Sequence, residues 1–266
     1  MHAFIAPHPD DTALSCGGLI AVLRERSDET AIITVYSGAS GTGGLTGYQR
    51  TALGFGPGGE FEGEAIAAVR RAEDARFAED AGIHILWLDL PDAVYRGYEG
   101  DASIFGEVRR GDGPPVEPLR AALNSLGASR VYAPLAVGNH VDHQLCRDAA
   151  VALITAPAEL SFYEDFPYAW WSGFTGPGFA GPGSMLALEP RYHDITRVLD
   201  RKTAGVLAYT SQVAALFGGG DELRQGLREY HARVAREGGL AGYAERTWVP
   251  AGVAAVPAMA PAPTGL

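Results

Sequence analysis

The sequence predicts an α/β fold: a Rossmann-like, doubly wound and mostly parallel sheet, with helices on both faces and long loops over its carboxyl edge. Three observations predict it. Short β-rich apolar runs alternate with longer stretches of helical period through residues 2–155. The strand runs are apolar on both faces, as a strand must be when helices cover it from each side. Two of the three Gly- and Pro-rich interruptions follow strands, and in such sheets the segments beyond the carboxyl ends surround the ligand crevice.

HAFIA (2–6) reads as the first strand and ALSCGGLIAVLRER (13–26) as its helix. TAIITVY (30–36) precedes the helical EGEAIAAVRRAEDARFAEDAG (62–82), and IHILWLDL (83–90) precedes PPVEPLRAALNSLG (114–127). RVYAPLA (130–136) precedes VDHQLCRDAAVALIT (141–155). Beyond these units, ELSFYE (159–164) and SMLALEP (184–190) are expected as a fifth and a sixth strand, with one long helix over 196–217 and another over 221–236. Three stretches, 37–63, 92–113 and 169–184, exceed ordinary connections and are rich in Gly, Pro and aromatics, which suits lids or substrate walls better than linkers. Residues 1–250 are expected to form a single domain and 251–266 a mobile or loosely docked tail.

Composition narrows the function. A chain of 266 residues, 47% hydrophobic, can bury one large core. The net charge of -11, with no run of Lys or Arg, excludes phosphate-backbone recognition and an anionic membrane surface, so neither nucleic acid nor membrane is an expected partner. No apolar run is long enough to span a bilayer and no basic-then-apolar leader opens the chain, so a cytoplasmic location is expected. Cys16 and Cys146 are expected as small buried residues near helix starts rather than a redox or metal pair. Oligomeric state is open, a homo-oligomer included.

The chemistry concentrates at two strand ends. His8, Asp10 and Asp11 follow the first strand, and His140, Asp142 and His143 follow the fourth. In an open parallel sheet the strand order commonly reverses between these two strands, which brings their carboxyl ends to the same crevice. Two imidazoles and a carboxylate converging there form a donor set for a divalent metal with positions left for water. Adjacent carboxylates on a turning backbone do not readily aim at one ion, so one of Asp10 and Asp11 is expected to bind metal while the other accepts a proton from water as general base. Asp11 or Thr12 is also placed to cap the helix that follows.

These residues give the chain its resemblance. PHPDDT (7–12) and HVDH (140–143) resemble the paired motifs of the PIG-L/LmbE-like family of zinc-dependent N-deacetylases, in its Pro-His-x-Asp-Asp subgroup. VRRAEDARFAEDAGI, LDLPD, YEDFPYA, RKTAGVLAYTSQ and ERTW are similar to further family elements. The resemblance implies that His8, Asp11 and His143 bind zinc and that Asp10 is the base. It further implies that His140 is a charged residue stabilising the oxyanion or protonating the departing amine, and that Asp142 orients a histidine of the second motif. Arg70 and Asp92 correspond to substrate-contacting positions able to grip sugar hydroxyls. Thr12 stands where the family usually has glutamate. The implied activity is hydrolysis of an N-acyl group, acetyl first, from an N-acetylglucosamine-type or related amino-sugar conjugate. The same donors accept Fe2+.

Plainer roles stand beside these. Arg70 is placed to pair with Asp74 at i,i+4, and Asp92 to start a turn. Tyr163, Glu164, Asp165, Trp170 and Trp171 suit a buried aromatic cluster better than a sugar wall, and His2, His84 and His193 suit packing roles. A non-haem iron site from His140, Asp142 and His193 conflicts with the strand-helix alternation and leaves His8 and Asp11 unexplained. GASGTGG (38–44) lacks the ending of a phosphate-binding loop. The remaining alternatives are a non-catalytic metal- or sugar-binding protein of the same fold and a hydrolase of a non-sugar amide.

Overall fold

The computed structural model describes residues 1–40, 44–57, 62–153, 160–176 and 187–251. Its parallel sheet consists of β1 (His2–Ala6), β2 (Thr30–Thr34), β3 (His84–Trp87), β4 (Arg130–Pro134) and β5 (Leu160–Tyr163), in the order β3-β2-β1-β4-β5. Phe4 of β1 sits opposite Ile32 on one side and Tyr132 on the other. Ala3, Phe4, Ile5 and Ala6 are fully buried, because helices cover both faces of this central strand.

One helical group contains α1 (Asp11–Glu25), α3 (Gly63–Ala81), α8 (Leu199–Leu207) and α10 (Gly220–Glu237), and the other pairs α5 (Val116–Leu126) with α6 (Val141–Leu153). α1 lies so deep that every residue from Asp11 to Leu23 is buried. Glycine permits this at Gly18, where a Cβ would come within 2.7 Å of Ile195 and 2.8 Å of the Glu245 carboxylate. That carboxylate instead accepts the backbone N–H groups of Gly18 and Leu19 at 2.8 and 2.6 Å.

Three departures from the sequence reading concern the second half. A seventh strand, β7 (Ala244–Pro250), lies antiparallel between β5 and β6 (Leu188–Asp194) and completes the order β3-β2-β1-β4-β5-β7-β6. Hydropathy hides β7, because its buried side chains include Glu245, Arg246 and Thr247. Each charge is paired: Glu245 with Lys202 at 2.7 Å, and Arg246 with Glu164 at 2.5 Å. β6 begins four residues later than expected and runs into RYHD, since as a half-buried edge strand it shows no clean apolar alternation; residues 184–186 of the expected strand lie outside the described residues.

The long helix expected over 196–217 is a 3-10 turn (Thr196–Val198), α8, and α9 (Thr210–Phe217). Glu73 of α3 causes the break. Its carboxylate accepts from Thr210 Oγ1, Ser211 N and Ser211 Oγ at 2.9, 2.9 and 2.6 Å, which starts a new helix there. The long connections carry short helices of their own, α2 (Gly47–Ala52), α4 (Asp101–Ile104) and α7 (Tyr168–Trp171). The tail expected over 251–266 lies outside the described residues from 252 onward.

Candidate active site

The carboxyl ends of β1 and β4 turn sharply. Asp10 has φ 101, and the loop after β4 holds Ala136, Gly138 and Asn139 at φ 65, 89 and 63. Non-glycine residues reach this left-handed region only when their surroundings hold them there. Asp10 begins α1 without its side chain capping the helix, so its carboxylate remains directed to the crevice. Asp11 does not cap α1 either; its Oδ2 accepts the His8 backbone N–H at 2.8 Å.

Buried carboxylates orient two imidazoles. His8 Nε2 donates to Asp142 Oδ2 at 2.9 Å, and His143 Nδ1 donates to Asp165 Oδ1 at 2.6 Å. The other nitrogen of each ring then turns to Asp11: its Oδ2 lies 3.3 Å from His8 Nδ1 and 3.4 Å from His143 Nε2. His143 Nε2 is a buried nitrogen with no hydrogen-bond partner among the described residues. A tetrahedral ion with bonds of about 2.0–2.1 Å separates its ligand atoms by about 3.3–3.4 Å, so the spacing of Asp11 Oδ2 from each imidazole nitrogen matches a shared divalent ion, and the donor types suit one. Ligand atoms of His8, His140 and His143 also lie within 4.8 Å of one another. Asp165 and Asp142 supply the outer hydrogen bonds that metal-binding histidines require.

Charges are strongly shifted here. Burial opposes a charge on His8, but Asp92, Asp11 and Asp142 outweigh it and raise the ring to about 10. Burial likewise opposes ionisation of Asp11, yet His143 and His8 hold its carboxyl down at about 2. Asp10 moves the other way: burial, then the Asp11 charge, push it well above the carboxylate range, against Arg70 and His8. Burial first, then His8 and His143, push His140 well below 6.5. The neutral ring accepts the Asp142 backbone N–H at Nδ1, 3.2 Å away, which leaves Nε2 as the N–H donor.

Two pocket walls lie here: the first includes Pro9, Tyr36, Arg70, Asp92 and Tyr95, the second Asp10, Leu14, Val206, Val213 and Phe217. Arg70 spans the first wall, 3.3 Å from the Pro9 carbonyl, 3.9 Å from Asp10 Oδ1 and 3.7 Å from Asp92 Oδ2.

The motifs in this site are matched by a family model described as PIG-L, GlcNAc-PI de-N-acetylase, over residues 3–154, more than half of the chain. The chain belongs to the PIG-L family. It is 30% identical to a 2'-N-acetylparomamine deacetylase of Streptomyces fradiae, covering 93% of this chain and 88% of the relative. A 2'-N-acetylparomamine deacetylase of Niallia circulans is 29% identical, over 92% of this chain and 89% of its own length. The crystal structure of the A40926 pseudoaglycone deacetylase shares the fold with a TM-score of 0.75 at 24% identity, covering 96% of this chain and 98% of that one.

Within this PIG-L chain the structure gathers His8, Asp10, Asp11, His140, Asp142, His143, Arg70 and Asp92 into one buried cluster. Two expected pairings differ. The Asp142 carboxylate meets His8 of the first motif rather than a second-motif ring, because α6 carries it across to β1. Asp74 does not pair with Arg70; it accepts from Thr34, Trp87 and Tyr209 at 2.8, 3.0 and 2.7 Å. Asp92 does both things expected of it, since Oδ1 accepts from Val94 N at 3.1 Å while Oδ2 faces Arg70 and lies 3.5 Å from His8 Nε2.

Thr12 Oγ1 is buried without a hydrogen-bond partner among the described residues. His193 bonds Thr247 Oγ1 at 2.9 Å on β7, outside the crevice, and His2 bonds the Tyr132 hydroxyl at 3.1 Å. Both cysteines are buried. Sequence reasoning missed Arg96, which donates to Asp142 from the loop after LDLPD, and it placed Asp165 in an aromatic cluster. For Asp165 a signal existed: a carboxylate at the end of a parallel strand, next to the two already recognised.

Proposed function

We propose that this chain is a metal-dependent hydrolase that removes an N-acetyl group from an amino-sugar conjugate, releasing acetate and a primary amine. His8, Asp11 and His143 would hold the ion, for which zinc is the first candidate and Fe2+ the second. When bound, a divalent ion among two neutral imidazoles and one carboxylate supplies Lewis acidity and makes water nucleophilic near neutral pH.

Asp10 is the base in this reading: it takes a proton from the attacking water and delivers it to the departing nitrogen, so the proton count closes. Its raised carboxyl suits both roles, because a group poised nearer neutrality gives and receives protons more evenly. His140 donates its Nε2–H where the carbonyl oxygen gains charge, and it needs no prior positive charge to do so. Asp142 and Asp165 hold the His8 and His143 rings. Arg70 and Asp92 face the sugar hydroxyls with a guanidinium donor and a carboxylate acceptor.

Supporting this reading, the relatives are named as deacetylases of an N-acetylated aminoglycoside, and the acidic chain favours a cationic product class. The two buried thiols suit a reducing compartment, the cytoplasm in this proposal. The observation that carries it is the approach of His8 Nδ1 and His143 Nε2 to Asp11 Oδ2, next to an Asp10 whose side chain caps no helix. The experiment is metal analysis of the purified protein together with amine release from a panel of N-acetylated amino sugars. Asp10→Asn should keep its metal and lose at least about 100-fold in kcat. Full activity in that variant would remove the base assignment, and a metal-loaded wild type inert on every sugar would favour a non-sugar amide or a binding role.

A further inference from the structure

We infer that the crevice continues onto a shelf of aromatic rings, Phe105, Tyr168 and Trp171, which takes the face of the saccharide or cyclitol ring next to the one being deacetylated. The inference rests on the deacetylase reading and extends it to the aglycone side of the substrate.

The rings form a continuous row that starts at the site itself. Phe105 stands edge-on to His140 at 5.4 Å between centroids, Tyr168 follows Phe105 at 5.6 Å, and Trp171 follows Tyr168 at 6.0 Å. Tyr168 is also edge-on to His143 at 5.8 Å. Among the described residues the two exposed large hydrophobic side chains are Phe105, 38% exposed, and Trp171, 51% exposed. Both lie in this row. Neighbouring exposed aromatics at the mouth of a polar crevice mark a surface that a ligand covers, because leaving them in water forgoes the gain of burial.

The shelf is built in. Tyr168 fits against the loop after β4 only because residue 138 is glycine, at φ 89: a Cβ there would lie 2.8 Å from Tyr168 Cβ and Cγ. Trp171 is carried by α7, whose backbone N–H bonds to Pro167 O at 2.9 Å. The Tyr168 hydroxyl makes no hydrogen bond to any described residue, which leaves a polar tip in the row for a ligand hydroxyl.

The chemistry of the row selects its occupant. A pyranose or cyclitol presents C–H groups on its face and hydroxyl or amino groups on its rim; because successive rings stand T-shaped, at 66° and 77°, the row offers both faces and edges, the faces to the C–H groups, and an ammonium on the rim gains a cation–π contact. A saturated ring with such a C–H face therefore fits better than an extended acyl chain, which needs a closed apolar groove.

The test compares one ring with two. Equilibrium titration of wild type, Phe105→Ala, Trp171→Ala and Trp171→Phe would use glucosamine and paromamine, neither of which can be turned over. Initial rates would use N-acetylglucosamine and 2'-N-acetylparomamine. In the alanine variants the loss in affinity and in kcat/KM should be about tenfold greater for the two-ring compound, carried by KM, and Trp171→Phe should recover most of it. Equal losses on one and two rings, or no loss on either, would overturn the shelf. If wild type hydrolyses neither acetylated compound yet binds paromamine through Trp171, the rings still hold a second sugar ring but the deacetylase reading falls, and with it the aglycone-side assignment. A wild type that neither binds nor hydrolyses them sinks both, and a Trp171→Ala change in sedimentation without a change in sugar binding assigns the rings to a protein contact instead.

Discussion

Asp165 is the residue whose role depends most on its partners. It accepts from His143 Nδ1 and from Val137 N at 2.6 and 2.8 Å, so it fixes both the ring and the loop that follows β4. Asp165→Asn should retain the fold and lower metal affinity about 10–100-fold, because the ring loses a charged acceptor that sets its orientation and basicity. Competition for zinc against a chromophoric chelator reads this directly; unchanged affinity would leave Asp165 with a structural role only. At this scale the candidate donors were legible in the sequence, since His8, Asp11 and His143 are recognisable by type and by position at strand ends. Their outer partners were not: Arg96 and Asp142 are 46 residues apart, and nothing local in either segment announces the contact.

β7 and α8 are joined by charge. Lys202 is fully buried, and its ammonium meets Glu245 at 2.7 Å. Glu245→Gln would leave that ammonium without a counter-charge and should lower stability by about 3–5 kcal/mol, whereas adding Lys202→Met should recover a large part of the loss. Denaturant unfolding of both variants measures it. His231 of α10 provides a pH test. Burial first, then the Lys202 charge, push its ring well below 6.5, against the Ala244 carbonyl that it bonds at 3.0 Å. As pH falls through about 6.5 the unfolded chain binds a proton there that the folded chain refuses, so this residue's contribution to stability declines with acid. The stability difference between wild type and His231→Gln should therefore shrink between about pH 7.5 and about pH 5, and a constant difference would contradict the buried neutral ring. These elements explain why the second half of the fold read poorly. β7 is held by Glu245, Arg246 and their partners rather than by an apolar stripe, and the break between α8 and α9 is set by Glu73, far upstream.

For the molecule as a whole, the site ties β1 to β4, so an ion bound there should stabilise the folded state by mass action. Zinc at about 100 times its dissociation constant should add about 2.7 kcal/mol, or raise Tm by about 5–10 °C, relative to chelator-stripped protein. The increment should vanish in His143→Ala; its persistence there would place the ion elsewhere. The sequence by itself determined the α/β class, the five parallel strands and the family, because strand alternation, turn chemistry and donor type are local properties. Tertiary structure alone decided which carboxylate orients which imidazole, where β7 inserts, and that Phe105, Tyr168 and Trp171 share one row. The reason is that a buried charge or an exposed ring is stable only in company, and that company comes from segments distant in the chain, whose meeting no local pattern records.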